Sequence, residues 1–459
     1  MARRLKAAAT GLVLLLPGCA PPLPPPDTQQ DVTSYLPAPV DNPTLSTGTV
    51  PQQWWHCFGN AALDDIISTA LQASPTLAEA TANLAAAQAN GDAATGAFLP
   101  QIGLNPNATR QAYPTGPNSS PPYTIYSLTG SISYDPGLFG ARHATFENAA
   151  AQLDYQQAEL DAARQTLIGN ITSAFITEAS AASQIAATGQ IIANEQKLLT
   201  LLNGEYADGA IPRLNVLQQQ AQILATQATL YPLQTQVDDA RDRLAVLSGQ
   251  LPAQWRQSTP DLTALAVPPD VPVTLPSAYL AGRPDLRAAR ALVAAQNAAL
   301  GIAVAHLYPD ITLSANGGYA AETLNTLFEP ASSLWSLAGN ILQPLYDGGE
   351  LHARKRAAQA QLAAALAAYH GAVLNAFGEA ADTLQALQND DAALSHAQAA
   401  ASTAAQAYQL ASQQFALGAV DYTTVLTAQI TYGQQTLLLV QTRATLLLDI
   451  ARLQSVMAP

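Results

Sequence analysis

Residues alternate between apolar and polar along four segments of the chain, and this period of two predicts β-strands with one apolar and one polar face. The clearest strand lies within residues 123–135, where the alternation pairs Tyr126, Leu128, Gly130, Ile132 and Tyr134 with Ser127, Thr129, Ser131, Ser133 and Asp135. The other strands are predicted at about residues 100–113, 309–320 and 333–343, of which 309–320 alternates clearly and the other two less regularly. The four segments make two predicted hairpins.

Strand length and aromatic residues favour a membrane setting over a half-buried soluble sheet, which would alternate in the same way. Each strand is about ten residues long and has Tyr or Trp near an end, among them Tyr113, Tyr319 and Trp335. Tilted membrane strands with aromatic girdles have this pattern. Four strands cannot close a barrel, and an open edge in lipid leaves backbone groups unpaired at several kcal/mol each. The barrel is therefore expected to be shared between subunits.

Helical spacing of apolar residues dominates the rest of the chain. Helices are predicted before and after each hairpin, at residues 61–97, 142–203, 277–306 and 351–417. At ~1.5 Å per residue, the 62 residues of the first long helix extend about 93 Å, which no globular domain requires. A short segment containing Gly209 or Gly418 ends each long helix, and a second helix then returns.

Each long helix and its returning partner are expected to form an antiparallel coiled coil, whose Ala-rich faces permit close packing around a hollow tube. A solid bundle fits the helices equally well but leaves the strands unexplained. The pattern occurs twice, since Pro75, Pro100 and Gly209 recur 209 positions later as Pro284, Pro309 and Gly418. The predicted fold is therefore mainly α with a pair of membrane β-hairpins, as a tandem repeat of a helix, two strands and a long helix pair. The repeats are assigned to residues 61–251 and 277–457, with residues 252–276 as a linker.

The first 18 residues have the order of a secretory signal peptide, with basic residues, an apolar run and then Leu16-Pro17-Gly18-Cys19. This ending resembles the lipobox of bacterial lipoproteins, whose cysteine becomes the acylated first residue of the mature chain. Cys19 is therefore predicted to carry a covalent lipid such as palmitate, and a plain signal peptide cut elsewhere is the alternative. Residues 19–60 are predicted to be a Pro-rich tether.

Charge and motif content exclude several classes of function. Only 11% of the 459 residues are charged and the formal net charge is −14, which argues against a nucleic-acid partner because phosphate binding depends on Lys and Arg. The six histidines have no metal-ligand spacing, and phosphate-binding loops and nucleophile elbows are missing from the sequence. We therefore predict no enzyme activity, no metal and no cofactor other than the lipid on Cys19.

Several short motifs occur together at the predicted element junctions: Trp54-Trp55-His56-Cys57-Phe58, Arg283-Pro284-Asp285-Leu286, Tyr308-Pro309-Asp310-Ile311 and Pro344-Leu345-Tyr346-Asp347-Gly348-Gly349. Together they resemble the TolC-like outer-membrane factors, most closely the NodT-type lipoproteins of tripartite resistance-nodulation-division (RND) pumps. The resemblance implies a homotrimer whose 12 strands form an outer-membrane barrel on top of an α-helical barrel in the periplasm. It also implies a periplasmic adaptor (membrane fusion) protein and an inner-membrane RND pump as partners.

The same resemblance assigns the two helix turns to a periplasmic tip, which some members close with an acid paired to Tyr and Arg. Here the positions of those residues hold Asn215, Phe415 and Val420, so an ionic lock is not expected. Arg213 and Asp421 lie near the same turns and could pair instead, or each could cap or flank a helix end in solvent. The hypothesis for closure is packing of Phe415, Leu417 and Val420 with at most one ion pair.

The function implied is a passive exit duct in the outer membrane and periplasm for small molecules such as drugs or toxic compounds. One alternative keeps the fold but exports polypeptides. Another is a coiled-coil lipoprotein that tethers envelope layers, against which the four alternating strands argue.

Overall fold

The computed structural model describes residues 45–48, 50–112, 122–273, 279 and 282–458. In chain order its strands are β1 (Leu45–Thr47), β2 (Gln101–Gln111), β3 (Tyr123–Tyr134), β4 (Val271–Val273), β5 (Asp310–Ala321) and β6 (Ser333–Leu342). Its helices are α1 (Ala61–Ala73), α2 (Pro75–Gly96), α3 (Ala141–Ala207), α4 (Arg213–Ala228), α5 (Leu230–Leu247), α6 (Pro284–Ala305), α7 (Glu350–Ala416) and α8 (Tyr422–Met457). The chain divides into two compact units.

The first unit contains a four-stranded antiparallel sheet in the order β2-β3-β5-β6. Its register confirms the two faces predicted from the alternation, because rows of paired residues are alternately apolar and polar. One row consists of Ile102, Ile132, Ala315 and Leu337, and the next consists of Gly103, Ser131, Asn316 and Ser336. One face of the sheet is therefore mainly apolar, and the opposite face is mainly polar except on β6, where Leu334, Ala338 and Leu342 lie on it.

Within the described residues, strands β2 and β6 are the edges of this sheet and have a neighbour on one side only. Their apolar side chains are also the most exposed of the sheet, with 80% of Ile102 and 79% of Trp335 accessible. The described part of a single chain thus leaves two backbone edges and an apolar face uncovered. Open backbone edges are not tolerated in a lipid environment.

The long helices α3 and α7 each contain 67 residues and confirm the predicted tandem arrangement. Their first residues, 141 and 350, and their last residues, 207 and 416, lie 209 positions apart. The two repeats therefore build helices of the same length from largely different side chains.

The predicted helix over residues 61–97 is interrupted, which corrects the sequence interpretation. Ser74 adopts an extended backbone between α1 and α2, because the residue before a proline is disfavoured in the helical region. The returning helix of the first repeat is also broken, at Thr229 between α4 and α5. Pro232 explains this break, since its ring clashes with the carbonyl four residues earlier, whereas α8 is continuous in the second repeat.

The second unit is held together by a core between α1, α3, α5 and a short 3-10 turn at residues 54–58. Its largest fully buried side chains include Trp54, Phe58, Phe175 and Leu244. The Trp54 indole donates a hydrogen bond to Gln165 of α3, and β1 pairs in parallel with β4. Residues preceding α1 are thus packed into the body of this unit from at least Val50 onward.

Candidate functional site

Two short turns join the long helices to their returning partners. Gly209 and Gly418 have φ angles of +73° and +70°, a left-handed conformation that favours glycine at the end of a helix. The next residues, Ala210 and Ala419, donate backbone hydrogen bonds to carbonyls five residues earlier, at 2.8 and 2.9 Å. Both turns therefore end their helix with the same Schellman-type motif.

Asp421 caps the start of α8. Its carboxylate accepts hydrogen bonds from the Thr424 amide (3.0 Å), the Thr424 hydroxyl (2.6 Å) and the Thr423 hydroxyl (2.9 Å). These hydrogen bonds lower the pKa of Asp421, and the bond from the Thr424 hydroxyl has the largest effect. A carboxylate at this position also interacts favourably with the helix dipole.

Arg213 begins α4 and is exposed. In the part of the chain that the structure describes, it forms no ion pair with Asp421, whose oxygens bind the first turn of α8. Asp421 is therefore a helix cap, which is one of the two arrangements expected from the sequence. The other, an ion pair between Arg213 and Asp421, is not formed among the described residues of one protomer. Asn215 lies one turn beyond Pro212 and donates its backbone amide to the Pro212 carbonyl at 3.1 Å.

An apolar cluster lies directly behind the two turns. Its buried members come from α3, α4, α7 and α8: Leu198, Leu202, Val216, Ala411, Phe415, Tyr422 and Val425. Val420 and Ile211 are partly buried against it. Leu417, however, is 83% exposed, so the expectation that it packs with Phe415 is wrong within one protomer. Gly418 turns the chain immediately after Leu417, which places this side chain outside the helix seam.

A buried polar network adjoins the apolar cluster and was not found from the sequence. The Gln219 side chain is fully buried; it accepts a hydrogen bond from the Tyr422 hydroxyl at 3.0 Å and donates one to Gln429 at 3.3 Å. Gln429 donates in turn to the Tyr408 hydroxyl at 3.4 Å. The network connects the α3–α4 pair with the α7–α8 pair inside one protomer.

Glu195 of α3 is 1% exposed and lies at the end of this network. Its Oε1 accepts hydrogen bonds from the Thr226 hydroxyl at 2.9 Å and the Gln222 amide at 3.3 Å, whereas Oε2 is buried and has no hydrogen-bond partner among the described residues. Burial raises the pKa of Glu195, and the hydrogen bonds from Thr226 and Gln222 oppose that shift.

A sequence signal for this burial existed. Glu195, Leu198 and Leu202 are separated by three and four residues, the spacing of the seam positions in a coiled coil. A charged residue at such a position lies in the interface between helices.

Asp390 is another carboxyl with a raised pKa. It lies on α7, and its Oδ2 atom is buried. Burial, followed by the neighbouring carboxyl of Asp449 on α8, raises the pKa of Asp390 to about 7. The two acids are 59 positions apart in the sequence, and no local pattern links them.

The predicted lipidation residue Cys19 lies outside the described residues, as do the signal peptide, most of the tether and the aromatic residue Tyr113. Cys57, the other cysteine, is a partly buried free thiol. Burial raises its pKa to about 12, so this thiol stays protonated and unreactive at neutral pH.

Comparison with known proteins gives a family and close structural relatives. A family model described as "Outer membrane efflux protein" matches residues 66–250 and 275–458. The pyoverdine export outer membrane protein OpmQ of Pseudomonas putida is 28% identical over 91% of this chain and 89% of its own length. The toluene efflux pump outer membrane protein TtgF of Pseudomonas putida is 29% identical over 82% of this chain and 78% of its own.

Among solved structures, the outer-membrane channel OprN superposes with a TM-score of 0.88 at 25% identity. The match covers 95% of this chain and 98% of that structure. The fold of the described residues is therefore that of a TolC-like outer-membrane channel protomer, as the sequence motifs predicted.

Proposed function

The chain belongs to the outer membrane efflux protein family, and we infer that it is the outer-membrane exit duct of a tripartite efflux system for small molecules. It is a passive channel component of the outer membrane rather than an enzyme. The proposal rests on two features that occur together in one chain. One is a sheet with an apolar face and a mainly polar face, and the other is a pair of helices of 67 residues each. A lipid-facing surface and a long conduit are what such a duct requires.

A homotrimer is proposed as the working assembly. The edges β2 and β6 are uncovered in one protomer, and pairing β2 of one copy with β6 of the next removes every edge when the ring closes. Three copies supply 12 strands to this barrel. The same symmetry places three pairs of helix turns around one axis, where they can restrict the passage.

The proposed partners are a periplasmic adaptor protein and an inner-membrane RND pump. A passive duct needs an energised transporter to load it, and relatives such as TtgF are named as outer membrane components of efflux pumps. The outer membrane itself is bound through the apolar sheet face and the lipid proposed on Cys19.

Accumulation of fluorescent dyes and antibiotics tests the function. Cells lacking the gene are expected to accumulate several members of a chemically varied panel, and restoring the gene should reverse this. Unchanged accumulation together with loss of a secreted polypeptide would favour protein export. Unchanged accumulation together with absence of a heat-resistant trimer on gels would favour a tethering lipoprotein.

Lipidation is predicted to require Cys19 alone. Cys19→Ala should abolish metabolic labelling with a clickable palmitate analogue, because the mature chain then has no N-terminal thiol to acylate. Insertion of the strands should continue, since it depends on the sheet rather than on the lipid. Cys57→Ala is the matched control and should label like the wild type. Labelling that persists in Cys19→Ala would contradict the lipobox interpretation.

Closure of the tip is proposed to depend on packing around Phe415 and Val420. Phe415→Ala empties a position in the buried cluster behind the turns, a change that typically costs about 3–5 kcal/mol. In planar bilayers we therefore expect a marked rise in the open probability of this variant. Arg213→Ala should leave it nearly unchanged, and a large rise in that variant would show that an ionic contact closes the tip.

A further inference from the structure

The carboxyl of Glu195 lies where three helices of one protomer meet. From α4, the side chains of Thr226 and Gln222 donate hydrogen bonds to its Oε1 atom. Gln219, also on α4, donates to the backbone carbonyl of Glu195 at 3.0 Å and accepts from Tyr422 at the start of α8. The protonation state of this one carboxyl therefore acts on a contact that joins α3, α4 and α8.

The groups facing Glu195 do not neutralise a negative charge. The side chains that α4 presents are uncharged. The titratable group on α8 is Tyr422, and burial followed by the charge of Glu195 raises its pKa to about 12. From α7, Tyr408 joins the network by accepting a hydrogen bond from Gln429. Among the described residues, no lysine, arginine or histidine forms an ion pair with Glu195.

An ionised Glu195 is consequently poorly accommodated. Its Oε2 atom is buried and receives no hydrogen bond from any residue that the structure describes, and an unpaired buried charge is far more costly than a neutral carboxyl in the same place. Separation of the helices relieves this cost because water then reaches the carboxylate. A protonated Glu195 carries no such cost and leaves the packed arrangement intact.

We propose that Glu195 is a proton-linked switch in which the protonated carboxyl keeps α3 packed against α4 and the start of α8, and loss of the proton loosens this contact. Leu198 lies about one helical turn from Glu195 on α3, and Tyr422 binds Gln219 next to Glu195. Both residues also belong to the apolar cluster behind the turns. Loosening of the contact therefore extends to that cluster. The consequence for opening of the tip rests on the proposed function, whereas the change in helix packing does not.

The direction of the pH dependence follows from the raised pKa of Glu195. The ordinary pKa of a glutamate carboxyl is 4.5. A carboxyl whose pKa is higher in the packed state stabilises that state when the pH is below this ordinary pKa. The stabilisation is lost as the pH rises through the raised value. The contact is thus tightest in acid and weakens toward alkaline pH.

Hydrogen exchange of the full-length protein in lipid nanodiscs tests the switch. Exchange rates of α4 and of the first turns of α8, corrected for the intrinsic effect of pH, should rise at least about tenfold in one step as the pH increases. Glu195→Gln imitates the protonated carboxyl, so this variant should keep the slow rates over the whole range. Persistence of the step in Glu195→Gln, or its absence from the wild type, would overturn the proposal.

Two further variants separate Glu195 from other groups. Asp390→Asn removes another carboxyl whose pKa is raised and should leave the step in place; disappearance of the step there would assign it to Asp390. Thr226→Val removes a hydrogen bond that favours the ionised form, so the step should move to higher pH, while Thr226→Ser should keep it near the wild-type value. A step unmoved in Thr226→Val would also contradict the switch, and this test remains if Glu195→Gln fails to fold.

Discussion

Replacement of Gly318 by alanine is expected to abolish assembly of the protein into heat-resistant trimers. A Cβ atom at this position of β5 would lie 2.1 Å from the Leu128 carbonyl oxygen and 2.8 Å from the Thr129 Cα. Both atoms belong to the backbone of β3, which is hydrogen-bonded to β5 along nine residue pairs. No side-chain rotation can relieve the contact, so the strands must separate.

Separation of β3 from β5 divides the sheet between its two hairpins. Overpacking of a well-packed site typically costs about 1–3 kcal/mol, and a contact against backbone belongs at or above the upper end of that range. The cost recurs in every protomer of the proposed trimer. We therefore expect unheated samples of Gly318→Ala to migrate as monomers on gels and to be largely absent from outer-membrane fractions.

The neighbouring Gly317 provides a matched control. It lies in the same strand, and a Cβ atom there would meet no atom of the described residues within 4 Å. Gly317→Ala should assemble like the wild type, because alanine fits an open strand position without strain. If both variants assemble equally, the close approach of β3 and β5 does not limit folding. If both fail, glycine is needed in this strand for a reason other than space.

Much of the fold was predictable from the sequence because its periodicities are long and regular. The alternation of Leu128 and Ile132 with serines placed the faces of the sheet correctly, since the side-chain period of a strand is fixed at two. Gly209 and Gly418 marked the two turns because a left-handed residue is needed there. The apolar periodicity alone predicts helices that continue through Pro75 and Pro232. Both helices are interrupted there because the steric restrictions of proline override the apolar pattern.

The candidate site was less predictable because its key contacts join residues that are far apart in the chain. Tyr422 and Gln219 meet across 203 positions, and their contact depends on how far one helix pair is shifted along the other. That shift results from the packing of many small side chains and is not encoded in any local motif. The exposed position of Leu417 likewise follows from the turn geometry rather than from its hydrophobicity.

Loss of the Arg241 side chain is expected to destabilise the second unit by about 3 kcal/mol. The Arg241 Nε donates to Glu178 Oε1 at 3.2 Å, which links α5 to α3. The Glu178 side chain is only 3% exposed, while that of Arg241 is 33% exposed. Breaking a buried pair typically costs about 3–5 kcal/mol because an uncompensated charge is left behind, and the partial exposure of Arg241 places this pair at the lower end.

The pH dependence of this loss distinguishes a stranded charge from a loss of packing. Burial already raises the pKa of Glu178, and Arg241 opposes the shift, so the pKa rises further in Arg241→Ala. A raised pKa stabilises the folded state below the ordinary value of 4.5 and loses that effect at higher pH. The deficit in Arg241→Ala should therefore be largest at neutral and alkaline pH and should shrink as the pH approaches 4.5.

Urea unfolding of the detergent-solubilised protein, followed by circular dichroism, measures this effect. Arg243→Ala is the matched control on the same helix, since Arg243 donates to the neutral side chain of Asn170 in a solvent-exposed contact, and its effect should stay within about 0.5 kcal/mol. Adding Glu178→Gln to Arg241→Ala should recover most of the stability, because no charge is then buried. A double variant no more stable than Arg241→Ala would show that Arg241 stabilises α5 through packing and through its contact with Thr259, and not by neutralising Glu178.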